Sequence, residues 1–318
     1  MSESILVIKL GALGDFVQAL GPMAAIRAHH KSARIVLLTT RPYVALAEAT
    51  GLVDEVWLDP KPKLFQIGTW RALRRSLKRG NFNRVYDLQT SDRSSWYYHL
   101  FLPQNAPEWS GIARGCSHPH ANPARDAMHT IERQAEQLKM AGVSITEFDD
   151  PAKLDISWAG ADVTKLAPRA PYWLLAPGGA AHRPDKRWPA ENFTALARRL
   201  TDAGRTPVLI GGADEGALSG AIAAGAPGTL DLAGRTDLLE LAALAKGAEG
   251  AVGNDTGPMH LAAAVGCPTW ALYSNASDPA LCGQRGRQVT ILRRPSLAEL
   301  AVPEVAAALP LDKLGEAD

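Results

Sequence analysis

The stretch GNDTGPMHLAAAVGCPTWALYS, residues 253–274, decides how the chain is read. Residues 248–252, mostly small and just before it, predict a short strand. Gly253, Asn254, Asp255, Thr256 and Gly257 are a cluster of turn-forming residues. Pro258 follows where a first helical residue is favoured, because its missing N–H would have no intrahelical partner there. Thr256 or Gly257 can serve as N-cap. Residues 261–265 continue as an apolar helix, Gly266 ends it, and 267–273 predict the next strand. A helix N-terminus presents unpaired N–H groups and a partial positive charge, so a phosphate is a natural guest. Asp255 and His260 flank that point. The turn alone is equally well read as a capped helix in which Asp255 only bonds turn amides.

Working outward, 318 residues suffice for two ordinary cores, and 46% apolar with 21% charged residues describes a soluble globular chain. The net charge of +1 points to no partner. Cys116, Cys267 and Cys282 are few, odd in number and far apart, which fits a reducing cytoplasm better than a disulfide framework. The opening MSESILVIKLGALGD lacks a basic leader and Lys9 interrupts its apolar run, so it is not read as a signal peptide. No apolar run reaches the roughly 18–20 residues a membrane span needs.

Strands are expected at 4–10, 34–39, 55–58 and 84–88, and helices at 16–30, 43–50, 70–78, 95–102 and 128–141, with 11–15 a glycine turn and 111–125 irregular. A second set follows a connection at 150–171: strands at 172–176, 206–210, 229–232, 248–252, 267–273 and 289–292, helices at 190–203 and 237–246, and a final helix over 296–309. This alternation implies parallel βαβ units with right-handed crossovers. The domains are placed at 1–158 and 159–318, with the last helix free to pack back on the first. Ligands of open parallel sheets bind beyond the carboxyl ends of the strands. Loops 10–15 and 253–257 both lie at such ends and are expected to face one another across a cleft.

Asp15 opens a helix after a glycine turn. It is either a base for an acceptor hydroxyl or a carboxylate held by the helix dipole. Lys186, in a loop with Arg183 and Arg187, is either a point charge for a phosphate or part of a solvated basic loop. Gly211 and Gly212 add a second phosphate-friendly turn. No GxxxxGK[ST] occurs, and GALGD is not GxGxxG, so neither a P-loop nor a dinucleotide site is supported. Cys116, His118 and His120 lack a second ligand pair, so no metal is expected. Residues 61–84 hold eight Lys and Arg and no acid. Without a nucleic-acid-binding motif, that run favours an acidic sugar or an anionic lipid surface.

At this point the chain resembles glycosyltransferase family nine, the lipopolysaccharide heptosyltransferases. The resemblance rests on ILVIKLGALGDFVQALGPMAAIR near the start, DLQTSDRSS at 87–95, RPDKRWPAENFTALARRL at 183–200, LIGGADE at 209–215, LAGRTDLLELAALA at 232–245 and GNDTGPMHLAAAVGCPT at 253–269. It implies a GT-B fold of two Rossmann-like domains, acceptor on the first and nucleotide sugar on the second. It also implies inverting transfer with no metal or cofactor, from ADP-L-glycero-β-D-manno-heptose to a lipopolysaccharide inner-core hydroxyl. Asp15 falls on the family's base, Lys186 on the lysine near the donor phosphates and sugar, and Asp255 on the acid that holds donor-sugar hydroxyls. Thr256, Gly257 and His260 match the phosphate-proximal helix start, with Gly14, Gly211 and Gly212 joining the donor side. Lys61, Lys63, Arg71, Arg74, Arg75, Gln89 and Arg93 are the expected contacts to an anionic, lipid-linked acceptor. The implied setting is cytoplasmic, with transient contact at the inner membrane face and no nucleic acid. Two alternatives stay open: the same fold with another nucleotide sugar or acceptor, and a non-catalytic sugar-nucleotide-binding protein.

Overall fold

A computed structural model describes residues 3–103, 106–144, 154–166, 168–179 and 183–311. His182 and parts of the expected 150–171 connection lie outside the described residues. The chain divides into two units, Met1–Asp155 and Ile156–Asp318.

The first unit has strands β1 (Ser4–Ile8), β2 (Arg34–Thr39), β3 (Glu55–Leu58), β4 (Arg84–Asp87), β5 (Glu108–Gly111) and β6 (His118–Pro119). They form one sheet in the order β3-β2-β1-β4-β5-β6, with every pairing parallel. All five residues of β1 are buried, which is why its sequence is an apolar run without alternation. Leu6, Ile8, Val36, Leu38 and Val85 pack against Leu73 and Leu77 of the Ile67–Arg79 helix. The strand order reverses between β1 and β4, so the crevice of this sheet lies beyond their carboxyl ends.

The second unit has strands β7 (Tyr172–Ala176), β8 (Thr206–Leu209), β9 (Leu230–Asp231), β10 (Gly250–Asn254), β11 (Thr269–Tyr273) and β12 (Val289–Arg293). Their order is β12-β11-β10-β7-β8-β9, all parallel. Counted from its own first strand, this is the topology of the first unit repeated, with the reversal between β7 and β10.

The structure differs from the sequence reading at several ends. The Asp92–Tyr98 helix starts three residues early, because Ser91 and Ser94 form a reciprocal capping box. Strands β5 and β6 were not expected, since residues 108–111 and 118–119 are too short to show a period. Strand β10 runs two residues past its expected end and absorbs Gly253 and Asn254. The anticipated helix over 296–309 is broken into a 3-10 turn, Leu297–Glu299, and a helix, Val302–Ala308, because a proline sits in the first turn of the second piece. Leu297, Leu300, Val305 and Leu309 are buried in the second unit's own core with Trp188, Phe193 and Trp270.

Trp188 joins that last segment to the sheet. It is 2% exposed, its indole N–H donates to the Leu300 carbonyl at 2.8 Å, and its ring meets Phe193 edge-on at 5.0 Å. Trp188→Ala is expected to lower the urea unfolding free energy of the second unit by about 3–5 kcal/mol. A loss below about 1 kcal/mol would mean the segment is held by other contacts.

Candidate active site

In the second unit the crevice is built by the loops that follow β7 and β10. Asn254 ends β10, and its buried side-chain amide donates to the carbonyls of Pro177 at 2.8 Å and Gly178 at 3.0 Å. Its carbonyl oxygen accepts from the Trp188 amide at 2.9 Å. One side chain therefore fixes the exits of both switch-point strands and the 183–188 loop. Gly178 leaves room for Glu215. A Cβ on Gly178 would lie 1.7 Å from a Glu215 carboxylate oxygen. That carboxylate accepts from the Gly179 amide at 2.7 Å and the Gly212 amide at 2.9 Å.

Asp255 comes next in the chain and is the centre of the site. Its Oδ2 accepts from Lys186 Nζ at 2.6 Å and from Ser277 Oγ at 2.6 Å. Its Oδ1 accepts from Tyr273 OH at 3.0 Å, and His260 Nε2 lies 3.7 Å from it. The Lys186 and Asp255 side chains are 13% and 8% exposed. Burial pushes the Asp255 carboxyl upward, but hydrogen bonds from His260, Lys186 and Ser277 outweigh it and hold the group well below the usual carboxylate range. Burial, with the neighbouring Asp255 charge, pushes the Tyr273 phenol far up, so it stays a donor.

The Gly257–Ala264 helix begins immediately afterwards. Thr256 is its N-cap by position but makes no side-chain cap. Thr256 Oγ1 and His260 Nδ1 are buried and have no hydrogen-bond partner among the described residues. Buried polar atoms are nearly always paired, so two orphans beside a helix N-terminus mark a binding surface for polar groups. Sequence reading placed Lys186, Asp255, Thr256, Gly257 and His260 here, and the structure brings all five together. Gly211 and Gly212 belong to the same end of the sheet through Glu215.

In the first unit, Gly11 has φ of +117°, and a Cβ there would lie 2.7 Å from the Tyr43 ring, so only glycine fits this turn. Gly14 and Asp15 sit half-buried in the first turn of the Leu13–Gln18 helix. A cavity of about 710 Å³ opens beside the turn, lined in part by Gly11, Tyr43, Lys61, Gln89 and Arg93. Gln89 Oε1 accepts from the Leu10 amide at 2.8 Å, which ties the β1 and β4 exits together. Arg71, Arg74 and Arg75 do not line this cavity. They lie exposed on the Ile67–Arg79 helix, with Arg74 bonded to the Leu100 and Leu102 carbonyls. Lys63 is exposed on the adjoining loop.

Beneath the turn lies a buried charge cluster. Lys9, 3% exposed, donates to the Leu88 carbonyl at 3.0 Å. Burial pushes its ammonium down to about 8, against the pull of Asp15 and Asp87. Asp87 is fully buried, and burial raises it to about 6 despite bonds from Thr90, Ser94 and Gln89. Arg133 is also lowered, by burial and Arg125, with Asp126 and Asp15 opposing. Sequence reading noted Lys9 only as an interruption. A lysine ending an otherwise apolar, doubly buried strand is the signal that could have found it. Among the described residues no cluster of three His, Cys, Asp or Glu side chains is arranged for a metal ion. In the 111–125 loop, His120 Nε2 instead meets Glu136 at 2.8 Å.

The family model described as glycosyltransferase family 9 (heptosyltransferase) matches residues 70–305. The chain belongs to that family. It is therefore a glycosyltransferase, and its two sheets are those of a GT-B fold. It is 26% identical over 305 residues to lipopolysaccharide heptosyltransferase 1 of Pseudomonas aeruginosa, covering 89% of this chain and 81% of the relative. It is 27% identical over 292 residues to lipopolysaccharide heptosyltransferase 2 of Escherichia coli, covering 86% and 83%. Among solved structures, E. coli heptosyltransferase WaaC with ADP-2-deoxy-2-fluoro heptose is similar in fold, with TM-score 0.76 and 22% identity, covering 96% of this chain and 98% of that one.

The transferase's central ion pair has a pH signature. The folded-state pKa of Asp255 lies below its unfolded value. Its contribution is therefore complete above about pH 4 and is lost as pH falls through the folded value. Asp255→Asn should unfold about 3–5 kcal/mol more easily than wild type at neutral pH, because it strands the buried lysine. That gap should begin to shrink below about pH 4. Urea midpoints from pH 7 to 3 check this, and a gap constant with pH would assign the loss to packing instead.

Proposed function

We propose that this glycosyltransferase moves a heptose from ADP-heptose to a hydroxyl of a lipopolysaccharide inner-core acceptor, by direct displacement at the anomeric carbon. The observation that carries the reading is the buried Lys186–Asp255 pair beside the orphaned Thr256 Oγ1 and His260 Nδ1, all at the head of one helix. A nucleoside-diphosphate sugar needs both chemistries side by side. Lys186 and the helix N-terminus supply positive charge for the leaving diphosphate. Asp255 supplies an acceptor for sugar hydroxyls, and its low pKa keeps it ionised at every working pH.

Asp15 is the proposed general base. Its half-buried place beside the glycine turn suits a carboxylate that must meet an incoming hydroxyl. Lys61, Gln89 and Arg93 on the neighbouring cavity suit an anionic acceptor. Lys63, Arg71, Arg74 and Arg75 add cations on the same unit, toward a lipid-linked acceptor at a membrane surface. Lys186 and the helix N-terminus supply charge for the leaving group in this reading, which calls for no metal. The names of the relatives, lipopolysaccharide heptosyltransferases, support the same donor and acceptor class.

Asp15→Asn should lower the transfer rate by about 10²–10⁴-fold while leaving stabilisation by ADP unchanged. Lys186→Ala should weaken both. Transfer undiminished in Asp15→Asn would remove Asp15 as base. Thermal stabilisation by UDP or GDP but not ADP would replace the donor and leave the fold assignment standing.

A further inference from the structure

The first unit carries an apolar surface that its core and cavity do not use. Leu64 is 84% exposed, Phe65 94%, Ile67 60% and Trp96 58%. Leu64, Phe65 and Trp96 line one open recess together with Trp70 and the rim residues Asp92 and Arg93. Single exposed apolar residues need no explanation, but a contiguous set at one loop tip marks an interaction surface.

The tip is a constructed turn. Pro62 is buried, and its carbonyl accepts from Arg93 Nη1 at 3.2 Å. The Lys63 amide donates to Gln66 Oε1 at 2.8 Å, and the Lys63 carbonyl accepts from the Trp70 indole at 3.1 Å. Two polar side chains and an indole thus hold a shape that leaves Lys63, Leu64 and Phe65 exposed. From this tip the Ile67–Arg79 helix runs on with Ile67, Arg71, Arg74, Arg75 and Lys78 exposed, at helical spacings of four, seven, eight and eleven from Ile67. Its opposite face, Leu73 and Leu77, is buried in the core. No acid occurs between residues 61 and 84.

The charge pattern selects the occupant. A protein–protein interface core is depleted in lysine and closes over its aromatic anchors, whereas here Phe65 projects freely beside Lys63 and Arg93. Aliphatic and aromatic tips beside uncompensated Lys and Arg are the chemistry of a bilayer interface, where apolar groups enter the acyl boundary and cations meet anionic headgroups. We propose that Leu64, Phe65, Ile67 and Trp96 insert into the interfacial layer of an anionic membrane, with Lys63, Arg71, Arg75 and Lys78 against its headgroups. The proposal names the surface for the lipid-linked acceptor read above and rests on that reading.

The test is flotation with phosphatidylethanolamine–phosphatidylglycerol vesicles and with phosphatidylcholine vesicles, in low and high salt. Wild type should bind the anionic vesicles and release them in high salt. The triple change Leu64→Ser, Phe65→Ser, Ile67→Ser should weaken binding at least about tenfold. Phe65→Ser alone breaks no buried contact and should still cost several-fold, which keeps the test decisive if the triple variant folds poorly. Vesicles with brominated chains should quench wild-type tryptophan fluorescence more than that of Trp96→Phe. Wild-type binding by Phe65→Ser, or no binding to anionic vesicles by wild type, overturns the proposal. So does a dimer in sedimentation that the serine changes dissolve, which would make a second copy the occupant. Stabilisation by ADP is measured on the same proteins. No vesicle binding by wild type with its ADP stabilisation intact refutes the membrane surface alone, and vesicle binding by wild type without ADP stabilisation refutes the donor reading alone.

Discussion

The Asp255 carboxylate is the group on which the second unit's site depends. A charge this deeply buried is tolerated only when it is paired and hydrogen-bonded. Lys186, Ser277, Tyr273 and His260 come from two loops, the end of β11 and a helix to meet it. Meeting that electrostatic demand assembles the site. The 183–188 loop is drawn in by Lys186, the turn after β11 by Ser277, and the helix start by His260. Asn254, one residue earlier, does the same work with neutral hydrogen bonds by joining the β7 and β10 exits. Two adjacent residues of opposite character thus set the backbone and the charge of the crevice.

The first unit meets a related demand differently. Lys9 and Asp87 are both fully buried, and each is shifted toward its neutral form. Burial dominates here where partners dominate at Asp255. The two carboxylates therefore sit at opposite ends of the same balance between desolvation and hydrogen bonding. Asp15 lies above this cluster, within reach of the field of Lys9 and Arg133.

Much of the fold was legible because parallel strands buried on both faces leave unmistakable apolar runs. SILVI at β1 and YWLLA at β7 are buried throughout, as their sequences say. The ends of elements were less legible because local hydrogen bonds move them. Ser91 pulls the Asp92–Tyr98 helix forward, and Asn254 keeps β10 extended past its expected end. Strands β5 and β6 carry no period and form because β4 offers β5 an edge and β5 offers one to β6.

By itself the sequence determined two α/β units and a helix N-terminus after GNDTG. It also put Asp15, Lys186 and Asp255 at strand ends, where parallel sheets present their loops. Only tertiary structure decided that Lys186 and Asp255, 69 residues apart, are bonded at 2.6 Å. The same is true of Glu215 reaching Gly179 across 36 residues. It also separated Lys61, Gln89 and Arg93, on the cavity, from Arg71 and Arg75, on an outer helix face. The reason is physical. Propensity and burial patterns act over a few residues, while a buried charge chooses its partners by distance in space.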